Sequence, residues 1–521
     1  MTHTRPTAET AYHQVTAPLL DELDYRIEQI DGQLPKDLRG TLYRIGPGKH
    51  QVGKSLLHNV FDGDGMISQF VLDGTSVRFR NRYVRTRHFQ HGQRSDRIRY
   101  RGVGEQIPGG PLANIGRLPE NVANTNIVNY DGGLLALWEL GNPYRIDPDT
   151  LDTLGPTDFD GRLGFLGAFS AHPKWDPVTG DMYNFGLDLL PTPRIRTYRI
   201  DRAGRLHRLA TVAMLDLPWN HDFALTSRYL VFVLDPILPD IAKLALATHS
   251  FIDSLNFKPA KGTRFLLVPR SGGRPRIVEH EALLHVHVTN AYDHGDDVVV
   301  ELVRLDTEWN DFRRMTGMVN LDSLDTPQFP DSTLMQYRIT PGGTVIEREL
   351  TNRSGEFPQY DWRRGTREHR YSYLAGAGGP AGVFNAVIKV DHQTGAVTSC
   401  ELGASSVGEP LFVPRTPDAA EDDGWLLALN HQLTENRSQL LILDARDPEC
   451  GPLATAWLDH HIPWGFHGTF THRIAQPTRC ARTVRELDRG ERSGVSAQRD
   501  ARADTDDHDS ACAADRLEAS R

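Results

Sequence analysis

Cysteine is scarce in this chain. Only four occur in 521 residues (Cys400, Cys450, Cys480 and Cys512), far apart and in no Cys-x-x-Cys pair. That spacing excludes a disulfide scaffold and a thiolate zinc site, and it predicts a reducing, cytoplasmic setting. No apolar run approaches the roughly 18 residues that a membrane helix needs. The stretch from Met1 to Glu22 also lacks the apolar segment of a secretory leader. Nor is there a surplus of positive charge: 58 Lys and Arg against 68 Asp and Glu leave a net charge of −10. A nucleic-acid partner bound through broad phosphate neutralisation is therefore not expected, and no protein partner is implied. Aromatic residues stop at Phe470, after which Arg and Asp accumulate. Residues 475–521 accordingly read as a disordered tail, too poor in apolar area to order themselves. Residues 1–18 are polar and read as an extended N-terminal arm, leaving 19–474 as the folded, catalytic part. What the composition does supply is histidine, 22 in all.

The folded part is dominated by short β-like runs. Gly133 to Trp138, Arg228 to Val233, Asp297 to Val303 and Gly424 to Leu429 are examples. Between such runs stand Asp- and Gly-containing turns, as at Asp176 to Gly180, Asp201 to Gly204 and Asp391 to Gly395. Asp accepts local backbone bonds there and Gly tolerates positive φ, which favours tight antiparallel reversals. So many short strands make the chain all-β, either a pair of sandwiches or a propeller, and no strict repeat separates the two. One stretch breaks the pattern. Apolar residues at three- and four-residue steps (Ile237, Ile241, Leu244, Ala245, Thr248, Ile252 and Leu255) predict an amphipathic helix over 237–255. It would pack on the domain or form an apolar lip that meets a membrane peripherally through Ile237, Ile241, Leu244 and Leu255.

Four histidines have apolar or small neighbours. They are His172 (in Phe169 to Pro177), His221 (in Trp219 to Thr226), His287 (in Val286 to Asp293) and His467 (in Pro463 to Phe470). Four buried imidazoles on separate strands could converge on a divalent metal such as Zn, Cu, Fe or Ni. There is no His-Glu-x-x-His motif, the four lie far apart, and any one of them alone reads as an ordinary core histidine. Spacing does not select them from the other histidines.

Ordered motifs do select them. Leu34-Pro35-Lys36-Asp37-Leu38-Arg39-Gly40-Thr41-Leu42-Tyr43-Arg44 is followed by Phe61-Asp62-Gly63-Asp64-Gly65-Met66 and Ala123-Asn124-Thr125-Asn126. The His172 and His221 segments come next, then Asn290-Ala291-Tyr292, Glu356-Phe357-Pro358, Glu409 to Pro414 and Gly465-Phe466-His467-Gly468. From about residue 30 to about 472 the chain resembles the carotenoid cleavage oxygenase family. That family includes bacterial apocarotenoid oxygenases and is related to the retinal-pigment-epithelium isomerohydrolase and the lignostilbene dioxygenases. The resemblance implies a seven-bladed β-propeller with a helical and loop cap over the active-site face. It also implies one Fe(II) per subunit, held on the axis by His172, His221, His287 and His467. His285 is an alternative to His287; both fall on one strand face by period two. The resemblance further implies carboxylates behind three of the imidazoles: Glu139 for His221, Glu356 for His287 and Glu409 for His467, with none for His172. Such a carboxylate fixes the tautomer and direction of the ring. Gly63-Asp64-Gly65 reads as a structural turn. The family usually has Asn where Ile45 stands, so the local loop geometry is expected to differ there.

The implied reaction is O2-dependent scission of a conjugated C=C bond into two carbonyls, with no catalytic side-chain acid or base. Selection among double bonds would then rest on the shape of an apolar tunnel, for which Trp138, Phe61, Phe169 and Phe466 are candidates; each could equally be a core residue. Stilbenoid cleavers tend to place Lys before the Glu that corresponds to Glu139. Trp138 stands there instead, which favours an apolar polyene, a carotenoid or apocarotenoid. A stilbenoid cleaver, and a propeller that binds or isomerises an isoprenoid without oxidising it, are the alternatives.

Overall fold

The computed structural model describes residues 8–164, 167–188, 192–306, 330–377 and 383–477. Short, mostly buried antiparallel strands assemble into seven blades around one axis. In chain order, the blades after the first begin at Asn126, Lys174, Ala224, His285, Gly355 and Ser405. The first blade contains Asp24–Arg26, Arg39–Lys49, Asp64–Asp73 and Val77–Tyr83. A closed ring of blades leaves only short, protected edges.

Closure uses both ends of the described chain. Gly468–Thr471 pairs antiparallel with Arg39–Lys49 of the first blade. Gln29–Gly32 pairs with Pro452–Trp457 of the seventh. The ring is thus latched twice, once by each end. Every neighbouring pair of blades shares its own apolar layer: Phe185 and Phe232 between the third and fourth, Val231 and Val300 between the fourth and fifth, Val303 and Ile388 between the fifth and sixth. The reversals follow their Asp and Gly residues. Asp391, for example, accepts from the Gln393 N–H at 3.0 Å, and Gly395 takes φ 71°.

Three sequence expectations need correction. The 237–255 stretch is not one helix: Ile237–Pro239 pairs as a strand with Leu255–Phe257, and only Ile241–Ala245 is helical. Pro239 ends the first strand, and Asp240 caps the short helix through the Lys243 N–H at 3.1 Å. Ile237 and Leu255 are therefore buried with Phe251, Leu284 and Leu305. Leu244 is half-buried and Ile241 exposed. The N-terminal arm is not extended either, because Ala8–Thr16 is a helix. Its Ala11 and Val15, one helical turn apart, bury against Leu433, and the Val15 carbonyl accepts from the Trp464 N–H at 2.7 Å. At the other end, Ala475 is buried and its N–H donates to Thr41 Oγ1 at 3.0 Å. The first residues assigned to the tail are thus packed. Residues 1–7 of the arm and 478–521 of the tail lie outside the described residues.

Candidate metal centre

The four selected histidines meet on the propeller axis. His172 and His221 stand two and three residues before the innermost strands of the third and fourth blades, His287 lies within that of the fifth, and His467 directly precedes Gly468–Thr471. Their Nε2 atoms face one another: His172 to His221 is 2.9 Å, His221 to His287 is 3.3 Å and His287 to His467 is 3.2 Å. All four donors fall within 4.8 Å of one another. Those separations are what neighbouring ligands on one ion show, since metal–imidazole bonds run to roughly 2.0–2.1 Å.

Carboxylates from the remaining blades stand behind the rings. Glu356 Oε2 lies 2.6 Å from Nδ1 of His287, and the same oxygen accepts from the Phe357 N–H. Glu409 Oε1 lies 3.0 Å from Nδ1 of His467. Glu139 Oε1 lies 2.7 Å from Nδ1 of His221. Each contact places a proton on Nδ1 and turns the bare Nε2 inward. Among the described residues His172 has no carboxylate at hydrogen-bond range: Asp222 is 3.9 Å from its Nδ1 and is itself held by Lys174 Nζ at 2.9 Å and the Val288 N–H at 2.9 Å.

Electrostatics act unequally on the rings. Burial and the neighbouring imidazoles, His221 first, hold His172 well below the ordinary histidine range. Burial also lowers His467, against the pull of Glu409. Burial opposes a charge on His221 too, but the carboxylates around it, Glu139 first and then Asp222 and Glu356, together raise that ring. Glu409 would be pushed up by burial alone, yet Arg44 and His467 hold it down to about 2. The residues therefore fit a divalent metal: an inward set of imidazole nitrogens with carboxylates behind three of them.

His285 goes elsewhere. Its Nδ1 and its backbone N–H both lie 2.8 Å from Asp235 Oδ2. Period two would put His285 and His287 on one face, but the register shifts between His285, Val288 and Asn290, and this bulging re-aims the side chains.

Sequence reasoning missed Arg44. It is buried, pairs with Glu409 Oε2 and donates through Nη2 to the Phe466 carbonyl at 2.6 Å. Gln359 Nε2 holds the other Glu409 oxygen at 2.7 Å. A lone Arg in a stretch that otherwise reads as buried strand was the available signal. Ile45 lies close by. Its N–H donates to the His467 carbonyl at 3.0 Å and its carbonyl accepts from the Phe466 N–H at 2.8 Å, while its side chain fills an apolar cluster with Tyr43 and Ile67. Main-chain pairing thus holds the strand where the Asn side chain is missing. The approach is close: a Cβ on Gly468 would lie 2.2 Å from the Tyr43 carbonyl oxygen, and one on Gly46 would lie 2.6 Å from Gly465 Cα.

The aromatic candidates separate. Phe61 and Phe466 pack together at 5.6 Å between ring centroids. Trp138 is buried with Val103 and Val122. Phe169 is a correction: it lies in the apolar layer between the second and third blades, against Phe159 and Tyr198. Two rings not anticipated stand against the imidazoles. Phe357 is 5.2 Å from His287 and 5.5 Å from His467, and Trp219 is 5.7 Å from His221. Gly63-Asp64-Gly65 is not a turn: Asp64 and Gly65 open the strand Asp64–Asp73, and Asp64 is buried between His88 at 2.8 Å and Lys49 at 3.4 Å.

Comparison with known proteins agrees with this geometry. Residues 16–472 match the family model described as retinal pigment epithelial membrane protein. The apocarotenoid-15,15'-oxygenase of Synechocystis is 35% identical over 468 residues, 86% of this chain and 94% of that one. This chain belongs to the carotenoid oxygenase family. The isoeugenol monooxygenase of Pseudomonas nitroreducens is 31% identical, over 88% of this chain and 96% of its own. The crystal structure of cobalt-substituted Synechocystis apocarotenoid oxygenase superposes with a TM-score of 0.83 at 32% identity, covering 90% of this chain and all of that one. Family membership and the blade order thus agree with what the motifs implied. No helix among the described residues is long and apolar enough to cross a membrane.

Proposed function

We propose that the chain is a non-haem iron dioxygenase that cleaves a conjugated C=C bond of an apocarotenoid or carotenoid with O2, giving two carbonyl products. The observation that carries this reading is the convergence of His172, His221, His287 and His467 through Nε2, with Glu139, Glu356 and Glu409 behind three of them. Four imidazole nitrogen donors suit Fe(II), which when bound would supply the O2 activation that no side chain here offers. The chain's own part is to hold the rings, orient one double bond and exclude water. Arg44, Gln359 and Glu409 fix His467, and Glu356 fixes His287. Phe357, Trp219 and the Phe466–Phe61 pair supply apolar surface beside the imidazoles. No acid or base is required, since one alkene and one O2 balance as two carbonyls.

Trp138, an apolar residue directly before Glu139, favours a polyene over a phenol. So does an exposed apolar lip. Leu112 and Leu118 are 90% and 67% exposed, and Leu246 59%. The two loops that carry them are tied by Arg101 to the His249 carbonyl at 2.8 Å and by the Ile252 N–H to the Val103 carbonyl at 3.0 Å. With Ile241, these side chains suit peripheral contact with a membrane that dissolves the substrate. A second reading, cleavage of a small phenolic alkene, is favoured by the relative named isoeugenol monooxygenase.

The test is anaerobic purification with metal analysis, then O2-dependent product identification against apocarotenals, a hydroxylated stilbene and isoeugenol. Aldehyde products from an apocarotenal are expected. Turnover confined to the phenolic alkenes would move the assignment to the second reading, and binding without O2 uptake would make the chain a carrier.

A further inference from the structure

A second group of metal-type donors lies between the fifth and sixth blades, apart from the axial centre. Glu301 stands on strand Asp297–Leu305 of the fifth blade; His369 lies two residues before strand Tyr371–Ala377, and His392 directly follows strand Phe384–Asp391, both of the sixth. The Glu301 and His369 side chains have no solvent exposure and that of His392 has 6%. One donor atom from each falls within 4.8 Å of the others. Glu301 Oε2 lies 3.3 Å from His369 Nδ1, and Oε1 lies 3.6 Å from His392 Nδ1.

The hydrogen-bond inventory around these groups is incomplete. Both Nε2 atoms lie 3.0 Å from the one hydroxyl of Ser372. That hydroxyl has a single proton, so at least one of the rings must donate through Nε2 and, if neutral, present a bare Nδ1 to the carboxylate. Glu301 Oε1 accepts from Gln336 Nε2 at 2.9 Å, while Oε2 and His392 Nδ1 have no hydrogen-bond partner. Among the described residues, no lysine or arginine is within ion-pair reach of Glu301. The Glu301 carboxylate is thus fully buried with two imidazoles and one amide as its side-chain partners, a setting in which a charged group needs close partners to be tolerated.

A metal ion resolves each of these points. With both Nδ1 atoms on the ion, both Nε2–H groups donate to Ser372 Oγ, which has two lone pairs to receive them. Two ligands of a tetrahedral ion with bonds of about 2.0–2.1 Å stand roughly 3.3–3.4 Å apart, close to the separations across Glu301 and similar to those among the four axial nitrogens. We propose that Glu301, His369 and His392 form a second metal site, for Zn2+, that fastens the fifth blade to the sixth. Two imidazoles and one carboxylate suit Zn2+, and water completes the four. Without the ion, Asn290 Nδ2, 3.2 Å from His369 Nδ1, would donate to that nitrogen and leave Glu301 Oε2 unpaired.

Metal analysis of the full chain, dialysed after equilibration with ZnCl2, tests this. Two equivalents per chain are expected in the parent protein, one in His287→Ala, one in Glu301→Gln and none in the double variant. One equivalent in the parent, or two retained in Glu301→Gln, overturns the proposal. Because Glu301→Gln could disturb packing, the melting temperature of His287→Ala is measured with and without Zn2+. A rise of several degrees that is absent in His287→Ala/His392→Gln is expected. A melting temperature of His287→Ala that ignores Zn2+ overturns the proposal independently of any Glu301 variant.

Discussion

Two histidines two residues apart have opposite duties, and this can be tested residue by residue. His287 aims Nε2 at the axis, whereas His285 is bound through Nδ1 to buried Asp235. His287→Ala is expected to remove most iron and turnover. His285→Ala should cost stability by leaving Asp235 unpaired, yet keep the axial iron; the reverse pattern in metal analysis would exchange their roles. Behind the rings, Glu409→Gln should lower metal retention or rate by roughly 10–100-fold, and an unchanged kcat with full iron would remove it from the centre. Arg44 is the partner that keeps Glu409 ionised. Arg44→Met should cost roughly 3 kcal/mol in chemical denaturation, the usual size when one half of a buried ion pair is removed, and should loosen iron as well. A denaturation midpoint equal to the parent's would count against that pairing.

At the scale of elements, what could be read from sequence depended on whether a segment's partner was local. Asp-x-x-Thr-Gly turns and their flanking strands carry their own instructions, and they stand where they were expected. The 237–255 stretch does not. Its three- and four-residue apolar spacing matches a helix, but Pro239 and the pairing of Ile237 with Phe257 divide it. The N-terminal helix was hidden for a related reason: its apolar face is only Ala11, Tyr12 and Val15, and its partner Leu433 is over four hundred positions away. Two element-level outcomes follow. Ending the chain after Pro477 should leave melting temperature and turnover unchanged. Ending it after Arg473 removes the Ala475 bond to Thr41 and the Gln476 bond to Asp149, so it should lower the melting temperature by a few degrees; equal melting curves would show those bonds to be idle. At the lip, Leu112→Asp with Leu246→Asp should cut cosedimentation with liposomes several-fold while leaving iron content intact. Undiminished sedimentation would place membrane contact elsewhere.

The whole molecule gives meaning to residues that are anonymous in sequence. Spacing could not pick four histidines out of 22, because their convergence exists only after the ring closes. Ordered motifs picked them, and the structure gathers those same four. Arg44 and Gln359, whose role is to hold Glu409, could not be read because that role depends on contacts across blades. The seven blades divide the labour: four give an imidazole and three a carboxylate. The most direct check is anomalous diffraction at the iron absorption edge from crystals of the anaerobically purified chain. One strong peak is expected within bonding distance of Nε2 of His172, His221, His287 and His467. No peak there, or a peak reached by only some of those nitrogens, would contradict the axial iron centre.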